Sequence, residues 1–231
     1  MRYPLVNYTN RNNLNYFDFY RYHDRITDTD PLPEYELITD SSVLCLSVEE
    51  VLEHLKIEQD QAEGNLYLEM LIKAAERCAE DLTRRSFINK TYRTHRESFG
   101  SFIELRRSKY QSISAFKYWS EETDDWVTID SGVYYVTSSK DYSRIYLKDQ
   151  QTWPTITTSR KQKIRIDFVA GYGAAASSVP KDLKLAMLHH VAAMYEQRGD
   201  WGSADLGNNQ LIGCLPTMSR LVYSNYKIAN K

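Results

Sequence analysis

The chain has 231 residues, 42% hydrophobic and 26% charged, with a formal net charge of −2. That is long enough to bury a core without disulfides or a structural metal, and too neutral to be pulled as a whole onto nucleic acid or an anionic membrane. Three scattered cysteines (Cys45, Cys78, Cys214) exclude a disulfide framework and fit a reducing compartment; no apolar run nears the ~20 residues of a membrane span, and the opening MRYPLVNYTN has no signal-peptide core.

Residues 1–40 hold four Arg and seven acids but no Lys, with six Tyr and two Phe. Tyr16, Phe17, Phe19, Tyr20 and Tyr22 crowd together without a period of 2 or 3.6, and Pro31-Leu-Pro33 breaks the chain after them. The expectation is an extended, aromatic-rich arm that docks on something else; a disordered leader is the alternative. Across the whole chain, 18 Tyr against 7 Phe is a surplus of amphipathic aromatics of the kind interfaces favour.

Regular structure begins at Ser47. Ser47-Val-Glu-Glu50 is a capping box, with Leu46 and Val51 placed as a hydrophobic staple, and it opens a helix over about 47–56. A second box, Asp60-Gln-Ala-Glu63, opens a longer helix over about 61–84, with Leu68, Leu71, Ile72, Ala75, Ala79 and Leu82 at helical spacing. Cys78 falls beside that stripe as a small core residue.

From about 91 to 172 the period is two. In Lys163–Ala170, Ile164, Ile166, Phe168 and Ala170 face one way while Lys163, Arg165 and Asp167 face the other, the mark of an antiparallel sheet with one wet face. Shorter candidates at 102–105, 112–119, 126–129, 133–137 and 144–147 complete a meander or small sandwich. Pro180 then suits the first position of a helix over about 180–198, whose apolar face is Leu183, Met187, His190, Val191, Met194 and Tyr195. Beyond Trp201-Gly202 the period is lost.

The predicted fold is therefore α+β: a small helical bundle of two N-terminal helices and one C-terminal helix, with an inserted antiparallel sheet or small sandwich. The folded domain is read as 41–203, between an N-terminal arm at 1–40 and a C-terminal interaction arm at 204–231. Neither flanking helix can bury its face alone, so Leu71 and Ile72 are expected to pack on Met187 and Val191.

No catalytic, cofactor-binding or metal-ligating residue is predicted. Gly171-Tyr-Gly-Ala-Ala-Ala176 matches G-x-G-x-x-A, but Pro180 would fall inside the first turns of the helix such a site needs; a flexible strand-to-helix turn is expected instead. His189 and His190 project about 100° apart and cannot chelate together. Glu121-Glu-Thr-Asp-Asp125 lacks the alternation and the glycine of a calcium loop and reads as a solvated hairpin tip.

Charge is unevenly spread. Residues 81–117 carry nine basic side chains against three acids, and residues 118–130 carry five acids unopposed. This could mark a DNA groove. Complementary faces of neighbouring subunits in a ring are the preferred reading, because no recognition helix or stacking motif accompanies the charge. The candidate subunit interface is Arg84, Arg85, Arg106 and Arg107 with Glu121, Glu122, Asp124 and Asp125. In the C-terminal arm, Leu211, Ile212, Leu215, Leu221, Val222, Tyr223 and Tyr226, with Arg220, are expected to sit on a partner surface as an extended segment.

Leu46-Ser-Val-Glu-Glu-Val-Leu-Glu-His-Leu-Lys-Ile57 resembles the opening helix of the head–tail connector (adaptor) proteins of tailed double-stranded DNA phages and gene transfer agents. Leu71-Ile-Lys-Ala-Ala-Glu-Arg77 and Leu82-Thr-Arg-Arg-Ser-Phe87 are similar to that family's second helix. Val169-Ala-Gly-Tyr172, then Val179-Pro-Lys-Asp-Leu-Lys-Leu-Ala186 through Tyr195-Glu-Gln-Arg198, extend the likeness over about 46–200. One departure is that Arg84 or Arg85 stands where the family's second helix usually ends in glycine.

The resemblance implies a non-enzymatic virion protein of the neck, assembled in the host cytoplasm, without cofactor or metal. It would form a homo-oligomeric ring, commonly a dodecamer, on the portal protein. The ring would extend the channel for genomic DNA without sequence-specific contact and carry the stopper or tail-completion protein. The C-terminal arm, with the apolar residues named above, would then be the portal-binding segment. The alternative from another class is a DNA-contacting accessory protein using the basic stretch 84–117.

Overall fold

In the computed structural model, which describes residues 35–57, 65–107, 109–196 and 215–228, the first helix starts where its cap demands. The Ser47 hydroxyl accepts the Glu50 N–H at 3.2 Å and the Glu50 carboxylate accepts the Ser47 N–H at 2.9 Å. Helix α1 (Val48–Leu55) ends at Lys56, which turns left-handed at φ 55°. The Asp60–Glu63 box lies outside the described residues. Helix α2 (Asn65–Thr83) buries Leu68, Ile72, Ala75 and Ala79, the predicted stripe, with Leu71 and Leu82 partly buried beside it.

Helix α3 (Lys181–Glu196) follows Pro180, and Ile72, Met187 and Val191 share one core with Val51 and Leu52 of α1. The expected α2–α3 packing is present, with Leu71 at its margin.

The strands are β1 (Glu36–Thr39), β2 (Lys90–Arg96), β3 (Ile103–Leu105), β4 (Tyr110–Ser120), β5 (Asp125–Thr128), β6 (Tyr134–Ser138), β7 (Ser143–Leu147) and β8 (Ile164–Ala170). They form a five-stranded sheet in the order β1-β2-β8-β4-β5 and a three-stranded sheet in the order β3-β7-β6. All named strand pairs are antiparallel. Ile164, Ile166, Phe168 and Phe116 of the larger sheet share a second core with Ile103, Leu105 and Ile145 of the smaller. The insertion is a small sandwich and the class is α+β.

Two boundaries move. Residues 1–34 lie outside the described residues, but Glu36–Thr39 pairs with β2 as an edge strand. The Tyr35 hydroxyl accepts the Arg106 N–H at 2.8 Å, so the end of the first arm belongs to the sheet. The larger correction is at the C-terminus. Thr217–Tyr226 is a helix, α4, a fourth member of the bundle rather than an extended arm. Tyr223 is 1% exposed within the helical core. Ser219 Oγ donates to the Ala186 carbonyl at 2.7 Å, and the Ile228 N–H donates to the Thr83 carbonyl at 3.0 Å. The inward face of α4 is built on Ser219 and Tyr223, while Met218 and Leu221 point outward at 59% and 56% exposure. Val222 and Tyr226 pack on the core beside Tyr223, so apolar residues stand on both faces and apolar periodicity alone does not pick the buried side.

Candidate functional site

The predicted acidic surface is a hairpin tip. Trp119 pairs with Trp126 and Ser120 with Asp125 at the open end of β4 and β5. Glu121, Glu122, Asp124 and Asp125 lie at the turn, all exposed. Asp124 takes a left-handed φ of 48°, and Asp125 caps its strand by accepting the Trp126 N–H at 2.6 Å. The Trp119 and Trp126 rings meet edge to face at 5.5 Å, with the Arg160 guanidinium 3.6 Å over Trp119.

The basic stretch does not form one surface. Strand alternation and local pairing divide it. Lys90 is 5% exposed; its ammonium reaches Glu80 Oε2 at 2.6 Å, Glu76 Oε1 at 3.4 Å and Asp40 Oδ1 at 3.0 Å. Arg93 holds Asp167, which is 7% exposed, at 2.7 Å, and Arg165 holds it from its own strand at 2.6 Å. Burial opposes ionisation of Asp167, but the two guanidiniums outweigh it and hold the carboxyl down to about 2. Arg106 pairs with Glu104 at 2.6 Å.

Arg85 corrects the sequence reading most sharply. It is 2% exposed, and its guanidinium donates to the Lys140 carbonyl at 2.8 Å, to Asp141 Oδ1 at 2.6 Å and to the Tyr226 carbonyl. One side chain thus ties the end of α4 and the turn between β6 and β7 to the end of α2. A charge so satisfied inside its own chain is not a contact for a neighbour.

What stays at the surface is a smaller seam between bundle and sheet. Arg84 follows α2 at φ 58°; Arg107 lies 5.0 Å over the Tyr92 ring and Lys109 lies 5.5 Å over Tyr172. Burial first, then the charges of Arg107 and Arg106, lower the Arg84 pKa. Burial and Arg84 lower that of Lys227. Arg84 thus lies in the field of Arg106, Arg107 and Lys227. Lys109 belongs to the basic stretch counted in the sequence but not to the named interface candidates, and Lys227 reaches this surface only through the folding of α4.

The glycine motif is a structural joint. A Cβ on Gly171 would lie 2.6 Å from the Ile88 carbonyl carbon and the Asn89 nitrogen. The Gly173 carbonyl accepts the Asn89 N–H at 2.9 Å. The expected flexible turn is a close backbone seam between the end of β8 and the segment entering β2, and α3 begins only at Lys181. His190 is buried and faces the Tyr223 ring at 6.4 Å, whereas His189 faces His54 at 5.1 Å. Among the described residues, no group of three or more His, Cys, Asp or Glu is placed to hold a metal ion. No helix among them is long and apolar enough to cross a membrane.

Of the candidate portal contacts, Leu211 and Ile212 lie outside the described residues. Tyr223 is core, and Leu215, Val222 and Tyr226 pack partly on it. Tyr226 also donates its hydroxyl to Asp182 at 2.7 Å. Arg220 and Leu221 are exposed on α4, joined by Met218, which apolar-knot reasoning passed over.

No protein-family model matches the chain, and no curated protein does. Solved structures do match. A chain of "Neck of empty GTA particle computed with C6 symmetry" is 20% identical with a TM-score of 0.68, the match covering 86% of this chain and 97% of that one. A chain of "Virion of native gene transfer agent (GTA) particle" is 21% identical at 0.66, over 85% and 96%. A chain of "Neck of native GTA particle computed with C12 symmetry" is 20% identical at 0.64, over 86% and 97%. At such identities the likeness shows a common fold, and it spans nearly the whole of each neighbour.

Proposed function

We propose that this chain is a structural head–tail connector (adaptor) of the neck of a tailed phage or related particle, with no catalytic role. Copies form a ring on the portal, twelve in number, that extends the DNA channel and carries the stopper or tail. The observation that carries this reading is the fold shared with neck chains over 86% of this chain and 97% of theirs. The order of elements supports it too, since bundle, sandwich and returning helices run through the region where the sequence resembles that family.

The portal would be met by the outer face of α4, where Met218 and Leu221 lie one turn apart and exposed beside Arg220. Residues 204–214 and their apolar pair Leu211 and Ile212 would extend that contact. The DNA-binding alternative is weaker, because Arg85, Lys90, Arg93 and Arg106 are spent on acids of their own chain.

The test is genetic. Particles made without this chain should accumulate as DNA-filled or leaking heads without tails, and a Met218→Asp/Leu221→Asp chain should fold yet fail to restore them. Tailed, infectious or transducing particles assembled in its absence would overturn the reading.

A further inference from the structure

The two charged surfaces of this chain lie at opposite ends of one strand. Lys109 immediately precedes β4 and is tied to the β8 end by the Gly171 N–H donating to its carbonyl at 2.8 Å. Arg107 lies two residues earlier, and the Ile228 N–H donating to the Thr83 carbonyl at 3.0 Å brings Lys227 to Arg84 at the end of α2. At the other end of β4, Glu121, Glu122 and Asp124 form the exposed turn. β4 has 11 residues, which at about 3.3 Å each separates the two surfaces by on the order of 30 Å. That is several Debye lengths at physiological salt, about 8 Å each. Within one chain neither surface neutralises the other.

We infer that the basic seam of Arg84, Arg107, Lys109 and Lys227 is the docking surface for the acidic β4–β5 tip of a second copy of this chain. The occupant is argued from charge and geometry together. The tip is acidic where the seam is basic, and the packing of Trp119 and Trp126 under Arg160 at its base holds the exposed carboxylates in place. Two unlike surfaces at opposite ends of a molecule make a head-to-tail contact, which closes into a ring when the rotation per copy closes. Such a contact steers copies together and fixes their orientation more than it supplies bulk affinity. The inference rests on the ring reading above and names the surfaces by which neighbours in that ring meet.

Carbodiimide coupling joins a carboxylate to a lysine only in direct contact. Applied to a mixture of isotopically light and heavy copies at low salt, and to rings on the portal, it should link Glu121 or Glu122 to Lys109 or Lys227 between chains. Glu121→Lys/Glu122→Lys and Arg107→Glu/Lys109→Glu should each weaken self-association about tenfold or more, with circular dichroism showing both folded. An equimolar mixture of the two variants, and a chain carrying all four changes, should recover it, because each reversed surface then meets a reversed partner. No interchain link, or a mixture as weak as either variant alone, would overturn the contact. Rings unchanged in every variant would sink this contact and leave the ring reading standing; a chain monomeric both free and on the portal would sink both. Loss of duplex DNA binding in Arg107→Glu/Lys109→Glu, with self-association intact, would assign the seam to phosphate instead.

Discussion

Single side chains decide how this fold closes. Arg84 adopts the left-handed backbone at the end of α2 that glycine ordinarily supplies, so the cap survives without the glycine, at the steric cost such a conformation carries. Thr83 steadies the same turn by donating its hydroxyl to the Ala79 carbonyl at 2.8 Å and accepting the Arg85 N–H at 3.3 Å. His190 is a liability of a different kind. Burial pushes its pKa down to about 4, and its Nδ1 has no hydrogen-bond partner among the described residues. The unfolded chain, with a histidine pKa near 6.5, takes up the proton first as pH falls. Stability is therefore whole above about pH 6.5 and is lost progressively toward about pH 4, by on the order of 3 kcal/mol for this group. Urea midpoints at pH 7 and pH 5 should differ clearly for the native chain and less for His190→Leu. Equal losses in the two proteins would show that His190 is not the group responsible.

Among elements, α4 separates what the sequence discloses from what it hides. Tyr223 fills the helical core while Leu221 faces outward. Tyr223→Ala should cost about 3–5 kcal/mol, the range for emptying a large aromatic from a core, and Leu221→Ala should stay within about 0.5 kcal/mol. Denaturation midpoints check the pair, and equal effects would contradict the docking of α4. Helix α1 was legible because Ser47 and Glu50 complete a cap, α2 because Leu68, Ile72, Ala75 and Ala79 recur at helical spacing although Glu76 and Glu80 are buried beside them, and β8 because Ile164, Ile166 and Phe168 alternate with charges. Strand β1 was not, since all four of its residues are exposed and no face alternates. Strand β2 was not singled out either, because its inward positions are Lys90, Tyr92 and Thr94, two polar letters around one aromatic, and Lys90 is accommodated only because Glu76, Glu80 and Asp40 receive it. The surface candidates divide on the same ground. Glu121 to Asp125 are exposed as their composition suggests. Arg85 is not, since nothing in its neighbours along the chain announces that Asp141 and the carbonyls of Lys140 and Tyr226 converge on it.

For the whole molecule, a formal charge of −2 conceals a strong internal separation of charge; under the proposed reading, overall neutrality would let DNA pass along the ring without being held. The same fold leaves an exposed apolar turn on α4 and two charged surfaces at opposite ends of β4, which the proposed reading assigns to a portal and to two neighbouring copies. A ring built this way is stoichiometric: each copy meets one portal subunit and two copies of itself. The direct measurement is the mass of the complex that this chain forms with the portal protein of its own particle, by native mass spectrometry. The account predicts a single closed species with one copy of this chain per portal subunit, twelve on a twelvefold portal. A portal that stays bare, or a ladder of masses with no preferred ratio, would contradict it.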